Sequence, residues 1–215
     1  MNHPSHKAEL RQYLRQLIRT RRNELTDNEQ AQAAHLLKER LIRHEKVISA
    51  KRIAIYLANE GELDPKPFIQ WCWQHNKEVY LPVLHPFCKG HLLFLRYKPD
   101  TQMSINQYGI EEPALDVTQI CPIEQLDVLC TPLVAFDTSG ARLGMGGGFY
   151  DRTLSGWFHR HSLNTQAKPY PIGIAHDCQQ VEQVPSEHWD VPIPEIITPS
   201  MNHVPGKWSI SHHSF

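Results

Sequence analysis

No stretch of the 215-residue chain is long and apolar enough to span a bilayer. The most apolar run, around Val128 to Phe136, falls far short of the roughly 20 residues that a membrane helix needs. Disulfide and zinc-ribbon spacings are missing too. The five cysteines, Cys72, Cys88, Cys121, Cys130 and Cys178, are odd in number and form no C-x-x-C pair. That pattern fits free thiols in a reducing compartment. Excess charge of one sign is absent: Lys and Arg total 22 against 23 Asp and Glu, which argues against non-specific nucleic-acid binding by the whole surface. The opening segment "MNHPSHKAELRQY" has no apolar core, so no signal peptide is expected, and the cytoplasm is the expected compartment. The 14 histidines are scattered; His212-His213 and His159-x-His161 read as surface residues, because no third ligand lies at a metal-site spacing.

What is present reads as a single α/β domain over residues 1–215, with N-terminal helices (about 5–45) packed on a sheet. Leu10, Leu14, Leu17 and Ile18 recur at helical spacing within 5–22. Thr26 and Glu29 match a capping box that opens a second helix carrying Leu36, Leu37 and Leu41. Strands are expected at 52–58, 78–84, 91–97 (antiparallel to a neighbour), 127–136, 170–176 and 194–199, with helices at 64–76 and 149–162. Pro132 should interrupt the 127–136 ladder or mark its beginning, and 99–125 reads as loop. Strands alternating with helices predict a three-layer α/β/α sandwich with a mostly parallel, partly mixed sheet. Ligands in such folds sit beyond the carboxyl ends of the strands.

The stretch "FDTSGARLGMGGGFYDRTL" (136–154) falls in such a place and holds five glycines between Gly140 and Gly148. Glycines before a helix let backbone N–H groups converge on an anion. A Walker A loop is excluded, since no Lys-Ser/Thr follows, and no frame gives the dinucleotide G-x-G-x-x-G pattern. Arg142 offers a clamp for phosphate oxygens, and Asp151 offers a carboxylate of the kind Mg²⁺ takes beside phosphates. A tight turn flanked by a surface Asp-Arg pair is the plain alternative. Lys7, Arg11, Arg15 and Arg19 recur every four residues as a cationic stripe, so an anionic partner is expected at one end. A solvated face or a nucleic-acid-binding helix is the alternative there.

"RLGMGGGFYDR" resembles the signature of the 5-formyltetrahydrofolate cyclo-ligase family, close to R-L-G-x-G-x-G-[YF]-Y-D. "KAELR" (7–11), "YLANEGELD" (56–64) and "YGIEEP" (108–113) resemble further family segments in the same order, so the likeness covers most of the chain. The resemblance implies an enzyme that uses ATP and Mg²⁺ to convert 5-formyltetrahydrofolate to 5,10-methenyltetrahydrofolate. Its partners would be small molecules, not nucleic acid or membrane, and it would act as a monomer. Carried onto this sequence, Lys7, Arg11 and the run Arg142, Leu143, Gly144, Met145, Gly146, Gly147, Gly148, Phe149 and Tyr150 would hold ATP. Arg142 and Tyr150 would be catalytic. Asn59, Asp64 and Tyr108, with Met145 to Phe149, would contact the folate. Asp151 would bind Mg²⁺. Where many members have a second acidic metal residue this chain has Pro194, so either water would complete the shell or Asp190 would substitute. A kinase or sugar-phosphate enzyme on a similar sheet is disfavoured by the missing phosphate-loop patterns. An RNA-binding module is disfavoured by the charge balance and by the lack of aromatics interleaved along the basic helix.

Overall fold

The computed structural model describes residues 6–164 and 166–205; His212-His213 lies outside them. The chain enters through α1 (His6–Asn23), whose Leu14, Ile18 and Arg22 point inward at four-residue intervals. Thr26 caps α2 (Asp27–Leu41): its hydroxyl accepts from the Glu29 N–H, and the Glu29 carboxylate accepts from the Thr26 N–H at 2.8 Å. A short α3 (Glu45–Ser49) leads to β1 (Arg52–Ala54), which is shorter than expected because the chain leaves the ladder after Ile55 donates to the Tyr80 carbonyl. Helix α4 (Lys66–Gln74) begins after Pro65, with Pro67 in the first turn, where a missing N–H costs nothing. Strands β2 (Glu78–Leu84) and β3 (Leu92–Tyr97) follow as an antiparallel pair. The expected loop at 99–125 contains a hairpin of β4 (Met103–Ile105) and β5 (Glu111–Pro113), too short and polar to read from alternation.

The expected strand at 127–136 is two. The ladder of β6 (Val128–Pro132) ends at its proline, and β7 (Ala135–Phe136) turns away to pair with β8 (Arg142–Leu143) in a separate hairpin. Then come α5 (Phe149–Leu163), β9 (Tyr170–Ile174), β10 (Ile196–Ile197) and β11 (Asn202–His203). The seven-stranded sheet has the order β11-β10-β9-β6-β1-β2-β3. Its interior pairs are parallel, and both edge strands, β3 and β11, are antiparallel.

Strand residues alternate between two cores. Ile53, Val79, Val128, Cys130, Ile172 and Ile197 face α2, α3 and α4. Ala54, Tyr80, Leu129 and Ile196 face Leu154 and Trp157 of α5. This period of two, apolar on both sides, makes the middle layer of a sandwich. Helix α1 packs through a cluster of its own: Leu14 and Ile18 meet Val134, Ala135 and Leu143 of the β7–β8 hairpin together with Val184. From β1 the chain runs outward to β2 and β3, then returns to β6 on the other side of β1. The segments leaving β1 and β6 therefore diverge, and the crevice between them is the switch point where open α/β sheets hold ligands.

At the opposite end, Asp127 secures the sheet. Its carboxylate accepts from the Lys51 and Arg52 N–H groups at 2.8 and 2.9 Å and from Lys168 Nζ at 2.5 Å. Burial alone would raise its pKa, but these three donors outweigh it and hold the group below the ordinary carboxylate value. The folded value is the lower one, so the stabilisation is full at neutral pH and is lost as pH falls through it. Asp127→Asn should cost about 2 kcal/mol at pH 7. The gap between variant and wild type in urea unfolding should narrow steadily on acidification below pH 4; a constant gap would refute the ionic contribution.

Candidate active site

The segment after β6 and the first turn of α5 build an open arc. Gly146 (φ +104°) and Gly148 (φ +63°) take backbone conformations that side chains disfavour. At Gly147 an added Cβ would stand 2.6 Å from the Phe149 ring. Gly148 is the N-cap of α5 and offers no side chain, so the helix's first N–H groups remain uncapped and face the arc, where the dipole favours an anion. Met145, Gly146 and Gly147 are exposed.

Beneath the arc, Arg142 Nη2 donates to Asp151 Oδ1 at 2.6 Å. The Arg142 side chain is only 3% exposed, and its Nε has no hydrogen-bond partner. The arginine expected on phosphate is thus buried under the loop, joining β8 to α5. The Val191 N–H also donates to Asp151 Oδ1, at 3.1 Å. Among the described residues Asp151 Oδ2 accepts no hydrogen bond, which leaves it open to a cation. The hydroxyl of half-buried Tyr150 is held well above its ordinary pKa, first by burial and then by the charge of Glu62, so the phenol stays protonated.

Helix α1 closes one side. Lys7 Nζ donates to the Ser186 carbonyl at 2.9 Å and lies 3.4 Å from Glu187. Arg11 forks onto Asp190 at 2.6 and 3.2 Å and donates to the Pro185 carbonyl. Asp190 also accepts from the Glu187 N–H at 2.9 Å. Both Asp190 oxygens are therefore occupied, and the residue expected as a second metal ligand serves as the partner of Arg11. Among the described residues no three His, Cys, Asp or Glu side chains gather as a metal cluster. The donor set fits Mg²⁺ through one carboxylate, Asp151, with phosphate oxygens and water completing the shell.

Arg15 was visible only as one member of the basic stripe, yet it reaches the arc. Its Nε donates to the Gly144 carbonyl at 3.0 Å, and its guanidinium carbon lies 3.5 Å from the Cβ position of Gly146. Among the described residues its two terminal amino groups have no partner. Burial, then the neighbouring Arg11 charge, lower its pKa, and together they outweigh the opposing charge of Asp190.

On the β1 side, Asn59 is exposed, and Asp64 is turned away to cap α4 through the Lys66 N–H at 2.9 Å. The carboxyl group that faces inward is Glu62, which the sequence reading passed over. Its Oε2 accepts from the Asn59 N–H at 3.1 Å, and burial pushes its pKa up to about 7 despite that bond and the Arg22 charge. It interacts electrostatically with Tyr56 and Tyr150. The one sequence signal was an acidic residue between Gly61 and the apolar Leu63. Tyr108 is 58% exposed and meets Phe149 edge-on at 6.1 Å, so the expected aromatic does arrive at the arc. With Met145 it forms an apolar rim.

The layered α/β fold thus presents an exposed glycine arc at the N-terminus of α5, with half-buried Glu62 acting electrostatically on Tyr150 in the first turn of that helix. The sequence model of the 5-formyltetrahydrofolate cyclo-ligase family matches residues 5–199, and the chain belongs to that family and is an enzyme of its class. It is 49% identical over 184 residues to the 5-formyltetrahydrofolate cyclo-ligase of Escherichia coli K12, covering 86% of this chain and 97% of that one. It is 50% identical over 187 residues to the Haemophilus influenzae cyclo-ligase, covering 87% and 96%. The solved structure of 5,10-methenyltetrahydrofolate synthetase from Aquifex aeolicus superposes with a TM-score of 0.75 at 26% identity, covering 95% of this chain and 97% of that one. The expected layered α/β fold and the resemblance are both borne out.

Asp151→Asn leaves the buried Arg142 charge without its counter-ion and should cost about 2–3 kcal/mol. Adding Arg142→Met should recover part of that loss in urea denaturation; strictly additive losses would show that the pair does not couple.

Proposed function

We propose that the chain converts 5-formyltetrahydrofolate and ATP, with Mg²⁺, to 5,10-methenyltetrahydrofolate, ADP and phosphate. The observation that carries this reading is the exposed glycine arc at the N-terminus of α5, beside the terminal amino groups of Arg15, which have no partner among the described residues, with half-buried Glu62 acting electrostatically on Tyr150 of the same helix. One end suits a polyphosphate and the other the donor-rich edge of a pterin.

The chemical obstacle is a formamide, a poor electrophile whose oxygen is a poor leaving group. Transfer of the γ-phosphoryl group to the formyl oxygen addresses both. The N10 amine then attacks the activated carbon, the N10 proton is lost, and the C–O bond breaks with departure of phosphate. No enzyme nucleophile is required, so the protein's contribution is alignment and charge stabilisation. The α5 N–H groups and Arg15 would orient the triphosphate. Lys7 and Arg11 would reach it by exchanging Glu187 and Asp190 for phosphate oxygens. Asp151 would hold Mg²⁺ through Oδ2, and the ion would neutralise charge on the phosphates. The protonated Tyr150 hydroxyl would donate to the oxygen at the reacting centre. Glu62 would accept from the pterin ring, with Tyr108, Phe149 and Met145 covering its apolar surface.

The near-ultraviolet absorbance of the methenyl product should grow only when ATP, Mg²⁺ and 5-formyltetrahydrofolate are all present. Growth at the same rate without ATP would sink the proposal. Arg15→Met should raise the KM for ATP about tenfold, the equivalent of one charge-assisted hydrogen bond, with the KM for the folate little changed. An unaltered ATP KM would remove Arg15 from the phosphate site.

A further inference from the structure

Arg22 belongs to no part of the site described so far, yet it is among the most buried side chains of the molecule, 2% exposed. Among the described residues its Nε and Nη1 have no hydrogen-bond partners. A guanidinium in that condition is costly, and a core position on α1 would be filled more cheaply by leucine or methionine. Its surroundings suggest what it does. The turn at 59–62 rests on the C-terminal end of α1: the Cβ position of Gly61 lies 3.5 Å from Arg22 Cβ and 3.6 Å from Asn23 Oδ1. The same turn is tied to α1 by Arg19–Glu60 at 2.9 Å and to α2 by Gln30 Nε2 on the Gly61 carbonyl at 3.4 Å. The next residue in the turn is Glu62.

We propose that Arg22 is a positioning residue for the folate end of the site, holding Glu62 from behind the 59–62 turn as the carboxylate that faces the bound pterin. This rests on the reading of Glu62 given above. The groups facing Glu62 are Arg22 from α1, Glu60 from its own turn, Tyr56 from the segment after β1 and Tyr150 from α5. Arg22 is the cation acting on it, against burial and Glu60, which favour the neutral acid. On its other side Arg22 faces His176, whose pKa is pushed down to about 4 by burial and then by the Arg22 charge, against Asp177 and a hydrogen bond with the Gly61 backbone. Asp177 and Cys178 adjoin that side, with Arg21 near Cys178. The histidine is neutral throughout the neutral range, so it does not compete with Glu62 for the role of anion partner or proton source there.

The test is 5-formyltetrahydrofolate binding without ATP, followed by calorimetry from pH 5.5 to 9 in wild type, Arg22→Met, Arg22→Lys and Glu62→Gln. In wild type, affinity should rise with pH through a midpoint near the Glu62 value of about 7. In Arg22→Met the midpoint should move up by about one pH unit, as loss of a nearby opposite charge requires. Affinity at pH 6.5 should then fall several-fold and recover by pH 9. Arg22→Lys should keep the wild-type midpoint, and Glu62→Gln should remove the pH dependence. Thermal melts of each variant identify unfolding, and Arg22→Gln replaces Arg22→Met if that chain does not fold. A midpoint unmoved in the neutral variant, or a pH dependence that survives in Glu62→Gln, overturns the proposal while leaving the folate reading intact. Absence of wild-type binding at every pH overturns both.

Discussion

The buried Arg142–Asp151 ion pair is the constraint on which the site depends. It joins the strand before the glycine arc to the helix after it, across a distance in sequence that the glycines alone would leave slack. Glycine-rich backbone is entropically expensive to order. A closure of 2.6 Å at the base, in a region almost without solvent, fixes both ends of the arc and leaves its middle exposed. The helix N-terminus is thereby held open toward solvent. Asp151 has a double position: one oxygen belongs to the scaffold and the other faces outward.

A second set of charges fixes α1. Like charges every four residues repel in an isolated helix. Here three of the four cations of the stripe have carboxylate partners from elsewhere in the chain: Lys7 with Glu187, Arg11 with Asp190, and Arg19 with Glu60. The fourth, Arg15, has only a carbonyl, and it is the one beside the arc. Pairing the others anchors the helix, so the unpaired cation is delivered where an anion would sit. The Arg11–Asp190 fork is nearly buried, so exchanging it for phosphate would be a conformational step and not a surface rearrangement.

Much of this was legible in the residues. The apolar runs marked the sheet, the capping box marked α2, and the glycine motif marked the family. Pro132 marked a break in the apolar run, and β6 ends there and does not begin there, because a proline cannot continue a ladder from its missing N–H. The turn of β7 away from the sheet was not legible, since "LVAF" is as apolar as the strand it follows; only the pairing with β8 distinguishes them. Asp64 and Glu62 illustrate the limit at the site. Both stand in one acidic turn, and the local sequence favours Asp64, yet Asp64 is used by a neighbouring helix start while Glu62 turns inward.

Local pattern therefore decided which segments are strands and helices, and which backbone could approach an anion, because periodicity, proline and glycine act over a few residues. Tertiary structure decided which charges are available. Arg142 is paired with Asp151 and Asp190 with Arg11, while Arg15 meets the Gly144 carbonyl and Glu62 lies in the field of Arg22. A charge's role is set by what lies within a few ångströms of it and by how much water remains there, and both are fixed only when residues more than a hundred positions apart, such as Arg15 and Gly144, are brought into contact.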